Sequence, residues 1–367
     1  MTRPTIIFLL SCMGASIGVS VAADSRLTVP AGFTITRLPF DVPNARQMAL
    51  TEQGLLLVGT RRHGTVWAIP DALSDKPGPV VAVLSDLSMP SGLAVADGDL
   101  YIGAKNEVIR VRDIDTSYPQ AAPEYVTRSL PDKRHHGWKY LGFGPDGRLY
   151  LPVGAPCNIC LSDDPRFATM LRMDPKSGET EIFAHGIRNS VGFDWHPQTG
   201  ELWFTDNGRD MMGDDVPAEE LNVAPRPGLH FGYPFLHAAD VRDPEFGEHA
   251  AAQGLSFTPP AVEIQAHSAA IGMTFYAHDA FPGRYTNAIF IAEHGSWNRS
   301  SKVGYQISVV TEEEDGALAY EPFVTGWLED QDAWGRPSDV LVTPDGSLLI
   351  ADDTANAIYQ VRYSGAD

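Results

Sequence analysis

Cysteine, basic residues and long apolar runs are all scarce in this chain. Of 367 residues only three are cysteine, too few for a disulfide-built scaffold or a cysteine-rich zinc module. Lysine and arginine number 27 against 47 aspartates and glutamates, a formal net charge of −20, and no basic stripe offsets the excess. Such a surface repels phosphate backbones, which argues against nucleic acid as a partner. It suits an exported enzyme acting on a neutral metabolite. The apolar run from Thr5 to Val21 is too short, and too rich in serine and glycine, for a stable membrane span.

That run follows Met1-Thr2-Arg3-Pro4 and ends in Val21-Ala22-Ala23 before Asp24. One early positive charge, a short apolar core and small residues at the end make residues 1–23 a secretory signal peptide. Residues 24–367 are then one mature domain, periplasmic or secreted. A lipoprotein alternative would acylate Cys12 in Leu9-Leu10-Ser11-Cys12. Cleavage after Ala23 leaves only Cys157 and Cys160. A Cys-x-x-Cys in an exported protein is a tight disulfide, a redox pair or half a zinc site, and Leu161 in place of histidine excludes covalent haem attachment. A structural disulfide pinning a loop is the favoured expectation.

What the chain does have is glycine, proline and short apolar strands. With 34 Gly and 28 Pro, and 43% hydrophobic residues, it can build a large core from strands and turns. A turn followed by an apolar strand recurs as Gln53-Gly54-Leu55-Leu56-Leu57, Asp97-Gly98-Asp99-Leu100-Tyr101 and Asp146-Gly147-Arg148-Leu149-Tyr150. It returns as Thr199-Gly200-Glu201-Leu202-Trp203, Thr286-Asn287-Ala288-Ile289-Phe290 and Asp345-Gly346-Ser347-Leu348-Leu349. Most spacings are about 45 to 60 residues, near one four-stranded propeller blade. The expected fold is all-β, a six-bladed β-propeller with four-stranded blades and an insertion between about Arg209 and His267. The last unit shows three strands, so Phe33-Thr34-Ile35-Thr36-Arg37-Leu38 is expected to supply its fourth and close the ring, hiding an exposed edge.

In such a ring the strand before each turn is innermost, and its start faces the mouth of the central channel. Those starts carry Arg46, Ser91, His136, Arg188, His267 and Arg336. Cationic groups gathered at one end of an acidic protein repel one another unless an anion sits among them. The loops after the second strands reach the same face, with Thr60-Arg61, Gly154-Ala155-Pro156, Asp206-Asn207-Gly208-Arg209, Glu293-His294-Gly295-Ser296-Trp297-Asn298 and Asp352-Asp353.

These segments resemble the soluble quinoprotein glucose and sorbosone dehydrogenase family, which uses pyrroloquinoline quinone (PQQ), and most closely its sorbosone dehydrogenase-like branch. The resemblance runs from about Val29 to Tyr363. It is carried by His135-His136-Gly137-Trp138, Gly186-Ile187-Arg188-Asn189, Thr205-Asp206-Asn207-Gly208-Arg209, Ala292-Glu293-His294-Gly295-Ser296-Trp297 and Trp334-Gly335-Arg336-Pro337. It implies a PQQ- and calcium-dependent oxidoreductase that oxidises a sugar-type alcohol, hemiacetal or aldehyde hydrate. By the same likeness His136 is the general base, taking the hydroxyl proton as hydride leaves for the quinone. Arg188 polarises the quinone carbonyl, Asn189 touches the cofactor, and Lys302 and Arg336 hold its carboxylates. The main-chain carbonyls of Gly208 and Arg209 bind calcium. A separate electron acceptor such as a cytochrome is implied.

Two positions depart from the glucose dehydrogenases: Ala155 stands where an aspartate orients the base, and Pro90 lies near the position of a cofactor glutamine. His135, Asp206 or water could hold His136 instead. Downstream, Asp214, Asp215, Glu219 and Glu220 form either a further calcium site or a solvated turn. Two other functions stay open: a calcium-dependent lactonase, which needs side-chain oxygens converging on one ion, and a non-catalytic carbohydrate- or protein-binding propeller.

Overall fold

The structure, a computed structural model, describes residues 25–365; the expected signal peptide at 1–23 lies outside them. Six antiparallel blades surround one axis, as the repeat predicts. Their innermost strands are Ala45–Leu50, Gly92–Ala96, Gly142–Phe143, Phe193–Trp195, Ala270–Phe275 and Pro337–Val342, for blades 1 to 6 in that order. Each turns back into the strand recognised from the repeat: Leu56–Thr60, Asp99–Gly103, Leu149–Val153, Leu202–Asp206, Ile289–Glu293 and Leu348–Asp352. The chain makes these reversals with left-handed backbone, as at Asp97 (φ 51°) and Gly98 (φ 80°), which glycine and aspartate tolerate. Among the described residues α-helix is confined to one turn, Ile114–Ser117, and no helix is long and apolar enough to cross a membrane.

The ring closes as expected, with a longer strand than the sequence indicates. Phe33–Asp41 pairs antiparallel with Ala357–Tyr363 and becomes the outer strand of blade 6. Phe33 locks the seam by edge-on contacts with Phe281 (4.8 Å), Phe323 (5.1 Å) and Tyr285 (5.6 Å). Such aromatic pairs add roughly 0.5–1.5 kcal/mol each beyond their buried area.

Near the axis the blades touch through backbone. A β-carbon on Gly192 would land on the Ile271 carbonyl, and one on Gly272 would land on Asp339, so only glycine lets blades 4, 5 and 6 approach this closely. Below the mouth, polar side chains bridge the innermost strands. Gln47 Oε1 accepts from the Leu93 and Leu141 amides (2.8 and 2.9 Å), while Tyr140 donates to Asp339 Oδ1 (3.2 Å) and Asp339 Oδ2 accepts from the Met48 amide (2.8 Å). Each of these bonds joins two blades, so the floor of the channel is fixed before any ligand arrives.

The expected insertion lies in blade 4, between Glu219–Ala224 and the outer strand Val262–Ile264. Part of it, Leu229–His230, adds a parallel fifth strand to the outer edge of blade 3. Leu236–His237 and Val241–Arg242 form a small hairpin.

Candidate active site

A cavity of about 600 Å³ opens at the end of the axis where the innermost strands begin. Of the six axial positions expected from sequence, five line it: Arg46, His136, Arg188, His267 and Arg336. Ser91 does not, because its hydroxyl is turned to the Lys139 carbonyl (2.9 Å). Arg61, Arg62 and Arg134 bring the wall to six arginines, against the two carboxylates Asp210 and Glu219. A protein of net charge −20 has thus built a cationic well.

Carboxylates at the ends of second strands shape this wall. Asp206 accepts from the Arg188 and Asn189 amides (2.8 and 2.6 Å), and Asp352 accepts from the Arg336, Thr354 and Ala355 amides (2.8–2.9 Å). Burial pushes Asp206 up to about 7 and Asp352 up to about 6. Asp206 is therefore occupied with the backbone of blade 4 and does not hold His136.

His136 is held by a group that no side-chain alignment reveals. Its Nδ1 lies 2.9 Å from the Ala155 carbonyl oxygen, so the main chain at residue 155 replaces the missing carboxylate. Its backbone is left-handed (φ 49°), and a β-carbon on Gly154 would collide with the His136 β-carbon; glycine at 154 is what admits the ring. Burial, then the charges of Arg188 and His135, hold its pKa well below the ordinary histidine value. The His135 ring lies alongside at 4.1 Å without bonding to it.

Arg188 is almost fully engaged. Nε donates to the Asn158 carbonyl (2.9 Å), Nη1 to the Asn207 carbonyl (3.0 Å), and Nη2 to Asn158 Oδ1 (2.7 Å) and Asp210 Oδ2 (2.8 Å). A guanidinium has five N–H donors, so one on Nη1 is left for a ligand. Asn158 sits inside the loop closed by the disulfide Cys157–Cys160, the pairing favoured from sequence. Tyr233 of the insertion braces that loop by donating to Cys157 Sγ (3.4 Å) and accepting from the Cys160 amide (3.0 Å).

On the opposite side Asp353 gathers Arg46 (3.1 Å), Arg61 (3.5 Å) and His294 (3.0 Å). Burial opposes its ionisation, but those contacts more than offset it and hold the carboxyl far below its usual range. Burial lowers His294 to about 3, leaving it neutral. Burial likewise lowers Arg46 to about 10, with repulsion from Arg61 and Arg336 adding to it. Arg336 donates through Nε to the His294 carbonyl (2.8 Å) and through Nη2 to the Gly295 carbonyl (2.6 Å). Trp138 forms a face beneath, with Arg61 and Arg46 at 5.4 and 5.8 Å from its ring centre.

Buried polar atoms without partners in a cavity wall are groups that a ligand can satisfy. Arg46 Nε, Arg61 Nε and Trp138 Nε1 are buried donors with no hydrogen-bond partner among the described residues, and all three residues line the cavity. They suit the oxygens of an anion with an aromatic body. Within the cavity lining one acceptor is orphaned too: Asn298 Oδ1, whose amide nitrogen donates to Asp210 Oδ1 (3.1 Å). With Gly208, Asp210 and Glu219 it forms an oxygen-bearing side of the well, chemistry that fits a hard cation.

Other expected site residues are placed differently. Lys302 does not line the cavity; its ammonium donates to the Gln331 carbonyl (2.6 Å). The Arg209 side chain turns outward to Asp243 and Glu245, though its neighbour Gly208 faces the well. The acidic run divides: Glu219 faces the cavity, Glu220 accepts from the Ala238 amide (2.7 Å), and Asp214 and Asp215 bind the Ser300 amide and Arg299 (both 3.0 Å). Among the described residues no group of three or more His, Cys, Asp or Glu could hold a metal. Asp210 escapes sequence reasoning; its one signal is that it directly follows Asn207-Gly208-Arg209.

The geometry can be set beside known proteins. Residues 172–364 match the TrAA12-like family model. An uncharacterized protein of Borreliella burgdorferi is 31% identical over 385 residues, covering 98% of this chain and 96% of its own. The fold is shared with the PQQ domain of a pyranose dehydrogenase from Coprinopsis cinerea, solved in its holo form (TM-score 0.76, 18% identity, 92% of this chain and 97% of that). It is also shared with a calcium structure of a Trichoderma reesei carbohydrate-active enzyme of family AA12 (TM-score 0.76, 19% identity, 95% and 99%). A PQQ-bound aldose sugar dehydrogenase from Streptomyces coelicolor is similar as well (TM-score 0.61, 19% identity, 91% and 99%). With the model spanning more than half its length and its blades laid out as in those propellers, the chain belongs to the TrAA12-like family.

Proposed function

We propose that this protein is a PQQ- and calcium-dependent oxidoreductase that oxidises a sugar-type alcohol, hemiacetal or aldehyde hydrate. The observation that carries the reading is the set of orphaned donors on Arg46, Arg61 and Trp138 inside a well of six arginines. Like charges buried together are costly, and a flat tricarboxylate is the ligand chemistry that relieves the cost while stacking on an aromatic face. The names carried by the similar structures, a holo PQQ domain and a PQQ-bound sugar dehydrogenase, point the same way.

Bound there, PQQ supplies an electrophilic carbonyl carbon that accepts hydride. The protein supplies the rest. Arg46, Arg61 and Arg336 would hold the carboxylates, Asn189 would contact the cofactor, and the free N–H of Arg188 would meet developing oxyanion charge. His136, with its proton on Nδ1, offers the lone pair of Nε2 to the substrate hydroxyl and removes that proton. Calcium would sit toward Gly208, with the carbonyls of Gly208 and Arg209 and the side-chain oxygens of Asp210 and Asn298 as its donors. Reoxidation would need a separate electron acceptor such as a cytochrome, in a periplasmic or secreted setting.

The test is to load the purified protein with PQQ and calcium, follow uptake by absorbance and melting temperature, and assay dye reduction with an aldose panel. Uptake with sugar-dependent reduction is expected. No uptake, with hydrolysis of lactones in its place, overturns the reading.

A further inference from the structure

Seven tryptophans occur in the chain, and six of them pack on another ring or a guanidinium. Trp297 has no such ring contact among the described residues and is 66% exposed, although it lines the cavity. Its exposure does not come from a loose backbone. The Ser296 amide donates to the Val303 carbonyl (3.0 Å), the Val303 amide to Ser296 Oγ (3.0 Å), and the Tyr305 hydroxyl to the Ser296 carbonyl (2.6 Å). On its other side Asn298 is tied to Asp210 (3.1 Å). The residue after Asp210 is Met211, 68% exposed. The two most exposed large hydrophobic side chains among the described residues thus flank one hydrogen-bonded Asn–Asp pair at the mouth of the well.

We propose that Trp297, with Met211 brought near it by the Asn298–Asp210 bond, is an outer carbohydrate subsite that stacks the second ring of an oligosaccharide whose first ring reaches His136. This rests on the sugar-oxidising reading of the site. A pyranose has an apolar face of C–H groups and an edge of hydroxyls. A fixed, solvent-facing indole matches the face, while the exposed Arg134 and His135, which line the same cavity, match the edge. Pockets of roughly 300–1,000 Å³ enclose one drug-sized ligand, so a cofactor and one ring fill a cavity of about 600 Å³. The next ring must lie at its mouth, where Trp297 stands. A protein partner fits less well, since two apolar side chains fall far short of the roughly 800 Å² per side of a standard interface.

The experiment compares cellobiose with glucose on the full-length protein loaded with PQQ and calcium, by isothermal titration and tryptophan fluorescence without electron acceptor and by KM with it. The wild type is expected to bind cellobiose about tenfold more tightly than glucose and to show an indole fluorescence change. In Trp297→Ala the preference should collapse toward one, and Trp297→Phe should restore part of it. Equal affinity for both sugars in the wild type, or an unchanged preference in Trp297→Ala, overturns the subsite even if PQQ-dependent activity is present. A cellobiose preference by titration that Trp297→Ala abolishes, in a loaded protein that reduces no dye with either sugar, upholds the subsite while the oxidoreductase reading falls.

Discussion

The Ala155 carbonyl oxygen stands 2.9 Å from His136 Nδ1, and this contact decides which ring nitrogen can act. A carbonyl only accepts, so Nδ1 carries the proton and Nε2 keeps its lone pair. His136→Ala is expected to lower kcat by about 10²–10⁴-fold while PQQ still binds, measured by steady-state kinetics beside a cofactor titration. Because burial and Arg188 hold the histidine below its ordinary value, the acidic limb of kcat/KM should have its midpoint below pH 6.5. A midpoint at or above that value would show that the base is another group.

Arg46 and Arg61 share one carboxylate. Arg61 reaches Asp353 only at 3.5 Å, whereas Arg46 reaches it at 3.1 Å, so Arg61→Gln leaves Asp353 paired. The apo protein should melt within a few degrees of wild type. The upward melting shift produced by PQQ should shrink, with binding weakened about tenfold, or about 1.4 kcal/mol. An undiminished shift would remove Arg61 from the anion site.

Reduction of Cys157–Cys160 should harm activity more than stability. The closed loop is four residues long, for which the chain-entropy model gives only about 2 kcal/mol. Yet Asn158 within it receives two of the four hydrogen bonds that position Arg188. The expected result for Cys157→Ser/Cys160→Ser is a fall in kcat of about tenfold or more with cooperative thermal unfolding retained. Wild-type kcat in the double variant would show that the loop holds its shape unaided.

Stability should also depend on pH through the channel floor. Burial raises Asp339 to about 7, so the folded state favours its protonated form. A raised acid contributes stability that is complete below its unfolded value, near 3.9, and is lost as pH rises through about 7. Melting temperature should therefore fall over that window. Asp339→Asn cannot ionise, so its deficit relative to wild type should narrow between pH 4.5 and 8. A deficit that widens would contradict this assignment.

Much of this architecture was legible because it is local. Six turn-and-strand units, each set by a glycine, aspartate or asparagine that permits left-handed backbone, announced six second strands. The incomplete final unit announced the closing strand at Phe33. Counting one residue per innermost strand also placed Arg46, His136, Arg188, His267 and Arg336 in one well. What stayed hidden depends on the backbone: the Ala155 carbonyl that orients His136, and the Asn158 and Asn207 carbonyls that hold Arg188. No residue type encodes a carbonyl. Ser91 and Lys302 show the converse, since neither a place near the axis, for Ser91, nor a match to a family position, for Lys302, decides where a small or flexible polar side chain spends its donors. The Glu219/Glu220 pair was readable in principle, because neighbours on a strand face opposite ways.

The seam between the first and last turns of the chain runs through the well itself. Asp353 comes from blade 6, and the Arg46 and Arg61 it holds come from blade 1. A molecule seated on those guanidiniums and on Arg336 fastens blade 1 to blade 6. Occupancy should accordingly slow amide exchange along Phe33–Asp41 and Ala357–Tyr363, strands that touch no ligand. The well needs both blades, so a chain cut short before Asp353 lacks the carboxylate that gathers Arg46 and Arg61.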